Sequence, residues 1–346
     1  MATPPSDDNT TIGGLIRLSG LQRSQLPPAD STPASLVPLL TSLLREAVPF
    51  IDSVAPKKSS GSGSGAGASA AGSSSPWKIL TTKRHADSAA GIDLLERTVV
   101  KVKGKGSEKE KEKWICRRSV HEESSEAGRR TASWAEFRES FKERHPETED
   151  AFTPEVVGAR RAVEWDCGVV VVKLTALPDD NNDETYGHFS LAVVEMRHHI
   201  GKPLKDRTFP VLQMTCAVME KKPPAISTPD DEHHLESQWE WHEKPEILIV
   251  SVTVSDFGTA PEALLSKDAP GNDTVIGAYA SIERIRKLPP QSDNGGGGDI
   301  EWIMATASDA GGVLPKWVQA MAVPGQIAKD VYLFLSWIAK EREKQK

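Results

Sequence analysis

Residues 307–340 decide the fold and read ASDAGGVLPKWVQAMAVPGQIAKDVYLFLSWIAK. A Gly-containing turn precedes a long stretch in which apolar residues recur every three or four positions, the spacing of a helix with one buried face. The apolar stripe comprises Trp317, Met321, Ile327, Val331, Phe334, Leu335 and Ile338. The pattern predicts a helix over 314–340, with Pro324 and Gly325 kinking it or splitting it in two.

Upstream of this helix, short alternating or β-branched segments are separated by turn residues, which is typical of an antiparallel sheet. One helical insertion interrupts them, beginning at an S-x-x-E capping box formed by Ser133 and Glu136. Its apolar face comprises Trp134, Phe137 and Phe141. Since strands and helices do not alternate, the pattern disfavours a parallel sheet. The predicted strands are at approximately 77–84, 92–102, 113–121, 160–176, 188–199, 207–219, 246–254, 274–286 and 299–307.

The other segments differ in composition and define the predicted domain boundaries. Residues 1–34 are rich in Pro, Ser, Thr and Asp, and residues 55–76 form a Gly/Ser-rich linker. Both are predicted to be disordered, because they contain too little apolar surface to offset the entropy of ordering. Between them, residues 35–54 are predicted to form an amphipathic helix that belongs to the domain. The domain itself is expected at 77–340, followed by a charged tail at 341–346.

Composition and charge exclude some classes of function. The formal net charge of -7 and a pI near 5.8 do not favour binding to phosphates, so nucleic acid is not expected as a partner. The three cysteines, Cys116, Cys167 and Cys216, are far apart and odd in number, which favours a reducing compartment. The N-terminal residues lack the pattern of a signal peptide, and no stretch approaches the roughly 18 apolar residues of a membrane span. These features predict a cytoplasmic protein that contacts membranes only from outside.

Three local motifs occur in order along the predicted strands and the turn into the last helix. They are RRAVEWD at 160–166, PLKDRTFPVL at 203–212 and ASDAGGVLPKW at 307–317. They resemble three motifs of START-like (steroidogenic acute regulatory protein-related lipid transfer) domains: an Arg ahead of Trp-Asp, P-x-x-x-R-D-[FY]-V, and S-D-P-G-G-x-[IL]-P-x-W. Thr208 replaces the Asp of the second motif, so no role of that acid is carried over, and Ala310 replaces the Pro of the third.

Two further segments, WICRRSVH at 114–121 and TASW at 131–134, are similar to a fungal START-like group known only as a domain of unknown function. The resemblance covers residues 77–338. It implies an α+β helix-grip fold, in which a curved antiparallel sheet of about nine strands wraps around the long C-terminal helix and encloses an apolar cavity. It also implies binding, and intracellular transfer, of a lipid or other hydrophobic small molecule, with transient contact with a membrane surface and without a cofactor.

One charged pair is a candidate for the interior. Arg118 shares the more apolar face of its strand with Trp114 and Cys116, and a buried guanidinium needs a partner. Glu195 could supply it, because it lies on an apolar strand face with Leu191. Such a pair would either bind a lipid headgroup or specify the fold, and the residues alone leave both readings open.

Large apolar and thioether side chains are the other candidates for the cavity wall, with ordinary core packing as the alternative for each. The candidates, with the charged pair included, are Trp114, Arg118, Trp165, Glu195, Met214, Tyr279, Trp302, Met304, Trp317, Met321 and Phe334. If the last helix is a lid, its hinge candidates are Gly311, Gly312, Pro324 and Gly325.

No catalytic constellation is recognisable in the sequence. There is no G-x-S-x-G elbow, no cysteine signature of a known protease family and no phosphate-binding glycine motif. The DDEHHLE run at 230–236 has metal-ligand residue types without a regular spacing, so no metal site is predicted. The sequence leaves two alternatives to lipid binding. One is a protein-interaction module that uses the last helix or the loop at 221–245, and the other, disfavoured, is an enzyme related to helix-grip cyclases or hydrolases.

Overall fold

A computed structural model describes residues 12–55, 75–84, 90–102, 109–126, 130–175, 183–201, 204–222, 239–267, 274–289, 298–311 and 316–345. The α-helices in these ranges are α1 (Pro33–Asp52), α2 (Trp134–Arg138), α3 (His145–Phe152) and α4 (Lys316–Lys344). The strands are β1 (Lys78–Arg84), β2 (Gly91–Val102), β3 (Lys109–His121), β4 (Val156–Trp165), β5 (Val172–Leu174), β6 (Glu184–His198), β7 (Asp206–Lys222), β8 (Glu240–Thr253), β9 (Thr274–Ile276), β10 (Ala278–Lys287) and β11 (Ile300–Asp309).

All the strands belong to a single sheet. Nine of them follow the order β1-β2-β3-β11-β10-β8-β7-β6-β4 with antiparallel pairing throughout, while β5 pairs with β6 and the short β9 runs parallel to β7. The prediction of about nine antiparallel strands is therefore confirmed. Two predicted strands are each divided, 160–176 into β4 and β5, and 274–286 into β9 and β10. The second break falls at Gly277, where a Cβ atom would lie 2.2 Å from the Phe209 ring, so only glycine fits.

Helical layers cover both faces of the sheet, so successive residues of a central strand enter different cores. In β7, Cys216 packs in a cluster with α1, whereas Ala217 packs in a cluster with α4. In β11, Ile303 lies on the α1 side and Trp302 on the α4 side. We call the α1 side of the sheet the outer face and the α4 side the inner face.

Helix α1 lies on the outer face, where it buries Leu40, Leu44 and Phe50, among others. The helix is long and apolar enough to span a membrane by length and composition alone. The expectation that no stretch has this character is therefore wrong for Pro33–Asp52. Burial of one side of the helix against the sheet accounts for its apolar composition.

The segment before α1 is also packed, which corrects the prediction that residues 1–34 are disordered. Ile16 and Leu21 are completely buried in the outer core. The carboxylate of Glu46 in α1 accepts hydrogen bonds from the backbone N–H groups of Gly13 (3.0 Å), Leu15 (2.7 Å) and Ile16 (3.0 Å). A few apolar side chains and one carboxylate thus order a segment whose average composition is polar. Residues 1–11, and most of the predicted linker (56–74), lie outside the described part of the chain.

The inner face is covered by the insertion and by the C-terminal helix. The predicted capping box is confirmed: the Ser133 hydroxyl accepts from the N–H of Glu136 (3.3 Å), and the Glu136 carboxylate accepts from the N–H of Ser133 (2.7 Å). A π-helical segment, Glu139–Glu143, follows α2. Helix α4 is one continuous element through Pro324, so of the two predicted alternatives, a kink or a split, the split does not occur.

Helix α4 extends to Lys344 and takes up most of the predicted charged tail. Arg342 binds the Glu136 carboxylate of α2 and donates to the carbonyl oxygens of Ser124 and Glu126. Lys329, further up the helix, forms an ion pair with Glu155 at 2.8 Å. The architecture is the expected α+β fold, with an antiparallel sheet and a C-terminal helix on its inner face.

Candidate functional site

The side chains proposed for the cavity wall divide between the two faces of the sheet. Trp114, Trp165 and Met214 belong to the outer core with α1. Trp114 packs edge-on against Phe50 of α1 at 4.9 Å between ring centroids. The sheet itself separates these side chains from α4. Their burial on the outer face supports the alternative of ordinary core packing.

The predicted pairing of Arg118 with Glu195 is wrong, although both residues do lie on the outer face. Arg118 donates to Glu301, its neighbour on β11, at 2.8 Å. Glu195 instead accepts from Arg160 (2.5 Å) and from the N–H and hydroxyl groups of Ser266 in the loop after β8. Each of the two charged side chains pairs with residues on an adjacent strand or loop. Such partners cannot be identified from the pattern of residues within one strand.

The inner face contains the other candidates. Trp302 is fully buried and packs with Phe334 of α4 at 5.5 Å, while Tyr279 and Met304 are half-buried. Trp317 and Met321 belong to α4, but their side chains lie outside the described part of the structure, as does Gly312.

Among the hinge candidates, Gly311 has a φ of +61°, in the left-handed region that glycine favours. A Cβ atom there would lie 3.0 Å from the carbonyl oxygen of Ile276. Its N–H donates to the Asp309 carboxylate at 2.9 Å, which fixes the end of β11. Pro324 and Gly325 lie within the continuous α4 helix.

An aromatic block fills one end of the inner face. Phe137, Phe141 and Phe152 from the insertion surround Phe334 of α4, with centroid separations of 4.8 to 5.8 Å. Trp302 contacts Phe141 at 4.8 Å from the sheet side. This part of the interior is solidly packed and ties α4 to both the insertion and the sheet.

A buried ionic cluster lies on the inner face next to this block. The Arg117 guanidinium stacks on the Trp302 ring at 3.8 Å and donates through Nη2 to Glu283 at 3.0 Å. The Trp302 Nε1–H donates to the same Glu283 oxygen at 2.6 Å. Arg117 and Glu283 are almost completely buried, with side-chain exposures of 2% and 5%. No partner among the described residues accepts from Nε or Nη1 of Arg117.

Further titratable groups from the helical layers face the same cluster. His145 of α3 lies 3.9 Å from Glu283 and 3.6 Å from Glu149. Burial lowers the pKa of His145, so the ring is neutral near pH 7. Burial, reinforced by Asp330 and Glu283, raises the pKa of Glu149 to about 8. Burial likewise raises the pKa of Asp330 on α4 to about 6.

Accessible surface remains at the centre of the inner face. Met304 lies directly opposite Glu283 on one neighbouring strand and Arg117 on the other, and it is half-buried although both of them are buried. Tyr279, on β10, is also half-buried. Because β11 has a paired strand on each side, the accessible surface of Met304 can only lie on the inner face, on the side of the helical layer.

The described apolar side chains of the inner face form two separate clusters. One is the block with α4, and the other comprises Ala192, Val194 and Val211 with Tyr279 against them. Between the two clusters the strands present polar side chains of Gln213, Ser251, Ser281 and Thr306. The interior is thus apolar at both ends and polar in the middle.

The raised pKa of Glu149 predicts a pH dependence of stability. Between its ordinary pKa of 4.5 and its folded value of about 8, the unfolded chain releases this proton while the folded protein retains it. Glu149 therefore lowers the free energy of unfolding as the pH rises through that window. We expect Glu149→Gln to be more stable than wild type by about 1 kcal/mol at pH 8, allowing for water at its partly exposed side chain, and equal at pH 4.

Urea unfolding of both proteins at the two pH values would measure this difference. Asp150→Asn, on the exposed side of α3, is the matched control and should show no such trend. A constant difference between Glu149→Gln and wild type at both pH values would contradict a raised pKa.

The central cluster was not predicted from the sequence. Arg118 was expected to be the inward charge, whereas the adjacent Arg117 faces α4. Glu283, His145, Glu149 and Asp330 were not among the candidates. The available signal was the row of polar residues at alternate positions of β10, Tyr279, Ser281 and Glu283, in a strand that is otherwise apolar enough to be central.

No metal centre is formed by the residues that the structure describes, since no group of three or more His, Cys, Asp or Glu side chains is arranged to hold an ion. The acidic and histidine-containing run at 230–236 lies outside the described ranges.

Comparisons with solved structures find three human proteins with a similar fold. Human STARD10 aligns with 13% identity and a TM-score of 0.40, covering 78% of this chain and 76% of that one. The human StarD13 (DLC2) lipid transfer and protein localization domain aligns with 13% identity and a TM-score of 0.38, covering 76% of this chain and 88% of that one. Human StAR-related lipid transfer protein 5 aligns with 14% identity and a TM-score of 0.39, covering 78% of this chain and 87% of that one. A likeness of this degree says nothing about what the present chain binds.

A search of curated protein sequences finds no match. A family model described as "Protein of unknown function (DUF3074)" matches residues 114–338. The matched stretch runs from the middle of β3 into α4, and it contains Arg117, Glu283 and both walls of the interior. By this match over well over half of its length, the chain belongs to the DUF3074 family.

Proposed function

We propose that the protein binds a lipid or another hydrophobic small molecule in a cavity between the inner face of the sheet and α4. The observation that supports this most directly is the accessible surface of Met304. This side chain lies on a central strand with buried neighbours on both sides, so its accessible surface is on the side of the helical layer.

The distribution of side chains around this position supports an amphipathic ligand. The apolar cluster of Ala192, Val194 and Val211 would contact a hydrocarbon part. The polar row between the two apolar clusters would orient the ligand with few but specific hydrogen bonds. Binding rather than catalysis is proposed, and burial of the Cys116 and Cys216 thiols, which raises the pKa of each, supports this because thiolate nucleophiles would not form there.

The helix α4 would act as the lid over this cavity. Its second half is held by the aromatic block and by Arg342, so the N-terminal half is the part proposed to open. The hinge would involve Gly311 and Gly312 and the turn of α4 at Pro324 and Gly325. Transfer of cargo would require transient contact with a membrane surface. We place this activity in the cytoplasm, which the free and buried state of all three cysteines supports.

Filling the proposed space tests the function. We expect Met304→Trp to reduce the amount of co-purifying or added apolar ligand by about tenfold, while lowering the free energy of unfolding by less than about 1.5 kcal/mol, because the indole enters existing space. Native mass spectrometry would count bound ligand, and urea unfolding would measure stability. Val157→Trp, at an exposed position of β4, is the control for the added indole.

A solidly packed interior would give a different result. Met304→Trp would then overpack the core and destabilise it by about 1 to 3 kcal/mol, and the wild type would bind no apolar ligand. That outcome would contradict the cavity and favour a protein-interaction module.

A further inference from the structure

The buried guanidinium of Arg117 has unused hydrogen-bonding capacity. Only Nη2 is paired, with Glu283, whereas Nε and Nη1 have no acceptor among the described residues. An unsatisfied buried donor on a charged group is costly, because the group has lost its hydration without gaining an acceptor. The half-buried Met304 lies directly opposite Arg117 on the neighbouring strand, and the two unpaired donors are buried beside it. Movement of the flexible Met304 side chain would open a path to them. These donors are therefore placed to bind an oxygen atom of a ligand.

The charges around Arg117 restrict what that oxygen can belong to. Three carboxyl groups face it: Glu283 from β10, Glu149 from α3 and Asp330 from α4. Glu149, with a pKa of about 8, is only partly ionised at pH 8, whereas Asp330, with a pKa of about 6, is ionised there. Two other cations that act on groups of this cluster, Lys329 on Asp330 and Arg161 on His145, are already engaged. Lys329 is paired with Glu155 at 2.8 Å, and Arg161 is paired with Glu147 at 2.5 Å.

We infer, on the basis of the proposed function, that the ligand is an amphiphile whose polar end is uncharged, a hydroxyl or carbonyl group that accepts hydrogen bonds from Arg117. The chemistry excludes a free carboxylate or phosphate at this position. An anion would add to an existing excess of acidic groups inside the protein, and its loss of hydration would not be offset. A neutral oxygen atom can accept from the guanidinium without the loss of hydration that an anion would suffer. The acidic groups that outnumber the single buried cation would therefore select against anionic ligands.

Burial is the main cause of the raised pKa values of Glu149 and Asp330, and the neighbouring Glu283 carboxylate adds to both shifts, which agrees with this charge balance. Burial also raises the pKa of Tyr279, which remains neutral. His145 is neutral as well, so it contributes no compensating positive charge.

Matched probes with the same hydrocarbon chain test the inference. Wild-type protein would be loaded with the neutral dye Nile red, which would then be displaced by dodecanol or by dodecanoate at pH 8. We expect dodecanol to displace the dye at a concentration about tenfold lower than dodecanoate. Glu283→Gln keeps an acceptor for the Trp302 indole but removes one acid, so it should abolish or reverse this preference.

The role of Arg117 itself needs a variant that folds. Arg117→Met alone would leave Glu283 unpaired, whereas the double variant Arg117→Met with Glu283→Gln replaces the pair with neutral groups, which is often tolerated. The double variant should bind Nile red but bind dodecanol about tenfold more weakly than wild type. Arg118→Gln is the control on the adjacent, outer-face residue, and it should leave both probes unaffected because Glu301 keeps Arg286 as a partner at 2.7 Å.

The outcomes separate the inference from the function on which it rests. If Nile red binds but dodecanoate displaces it as well as dodecanol does, or neither displaces it, the inference is overturned and ligand binding stands. Unchanged dodecanol affinity in the folded double variant also overturns it. If Nile red does not bind to the wild type, the proposed function and the inference are both overturned.

Discussion

Glu301→Gln is expected to lower the free energy of unfolding by about 3 to 5 kcal/mol, because it breaks a buried ionic network. Glu301 is fully buried and lies within 2.8 Å of Arg118, 2.7 Å of Arg286 and 3.7 Å of Arg284. Removing the carboxylate leaves three neighbouring guanidinium groups to repel one another. Of the three guanidinium groups, Arg284 would keep an acidic partner, Asp52 of α1.

Urea unfolding monitored by circular dichroism would measure this loss. Glu96→Gln is the matched control, because Glu96 pairs with the exposed Lys113 at 2.6 Å, and surface pairs of this kind contribute about 0 to 1 kcal/mol. Equal stability of the Glu301→Gln and Glu96→Gln proteins would contradict the network.

Phe334→Ala is expected to destabilise the protein by about 3 to 5 kcal/mol and to loosen α4 from the sheet. The Phe334 ring is fully buried and packs against Phe137, Phe141, Phe152 and Trp302, so truncation leaves a cavity that these rings cannot all close. The loss combines the transfer free energy of the ring with the lost packing around it.

The same denaturation experiment, together with amide hydrogen exchange along α4, would test this prediction. Gln326→Ala, at an exposed position of the same helix, should change stability by no more than about 0.5 kcal/mol. A loss below 1 kcal/mol for Phe334→Ala would mean that the aromatic block does not anchor the helix, and the proposed division of α4 into a fixed and an opening half would fail with it.

The positions of the elements could be predicted from local sequence because local physics determines them. The Ser133–Glu136 capping box fixes the start of α2, since both of its hydrogen bonds lie within one turn. The apolar stripe of residues 327–338 fixes which side of α4 is buried. The composition of residues 1–34 gave a wrong prediction of disorder, because a few apolar side chains order a segment that is polar on average. Ile16 and Leu21, both buried before α1, are examples.

The candidate site was harder to predict from the sequence. Alternation of side chains along a strand assigns residues to two faces, but it does not show which face points towards the ligand cavity. From the sequence, the more apolar face of β3, with Trp114 and Arg118, was expected to point towards the ligand cavity. In the folded protein that face packs on α1, and the less apolar face with Arg117 lies beneath α4. When helices cover both faces, apolarity no longer distinguishes the core from the cavity.

The sequence by itself determined the order of most strands and helices and the α+β class, since each follows from periodicity, capping and turn residues within short windows. The helix-grip arrangement was implied only by the resemblance of three motifs to START-like domains. Only the tertiary structure decided which of two adjacent arginines faces the interior, and which acids surround it. Arg117, His145, Glu283 and Asp330 are separated by up to 213 residues of chain, from 117 to 330. They meet because antiparallel pairing and the packing of α3 and α4 bring them together. Electrostatic energies depend on those distances and on burial, and neither is a property of the local sequence.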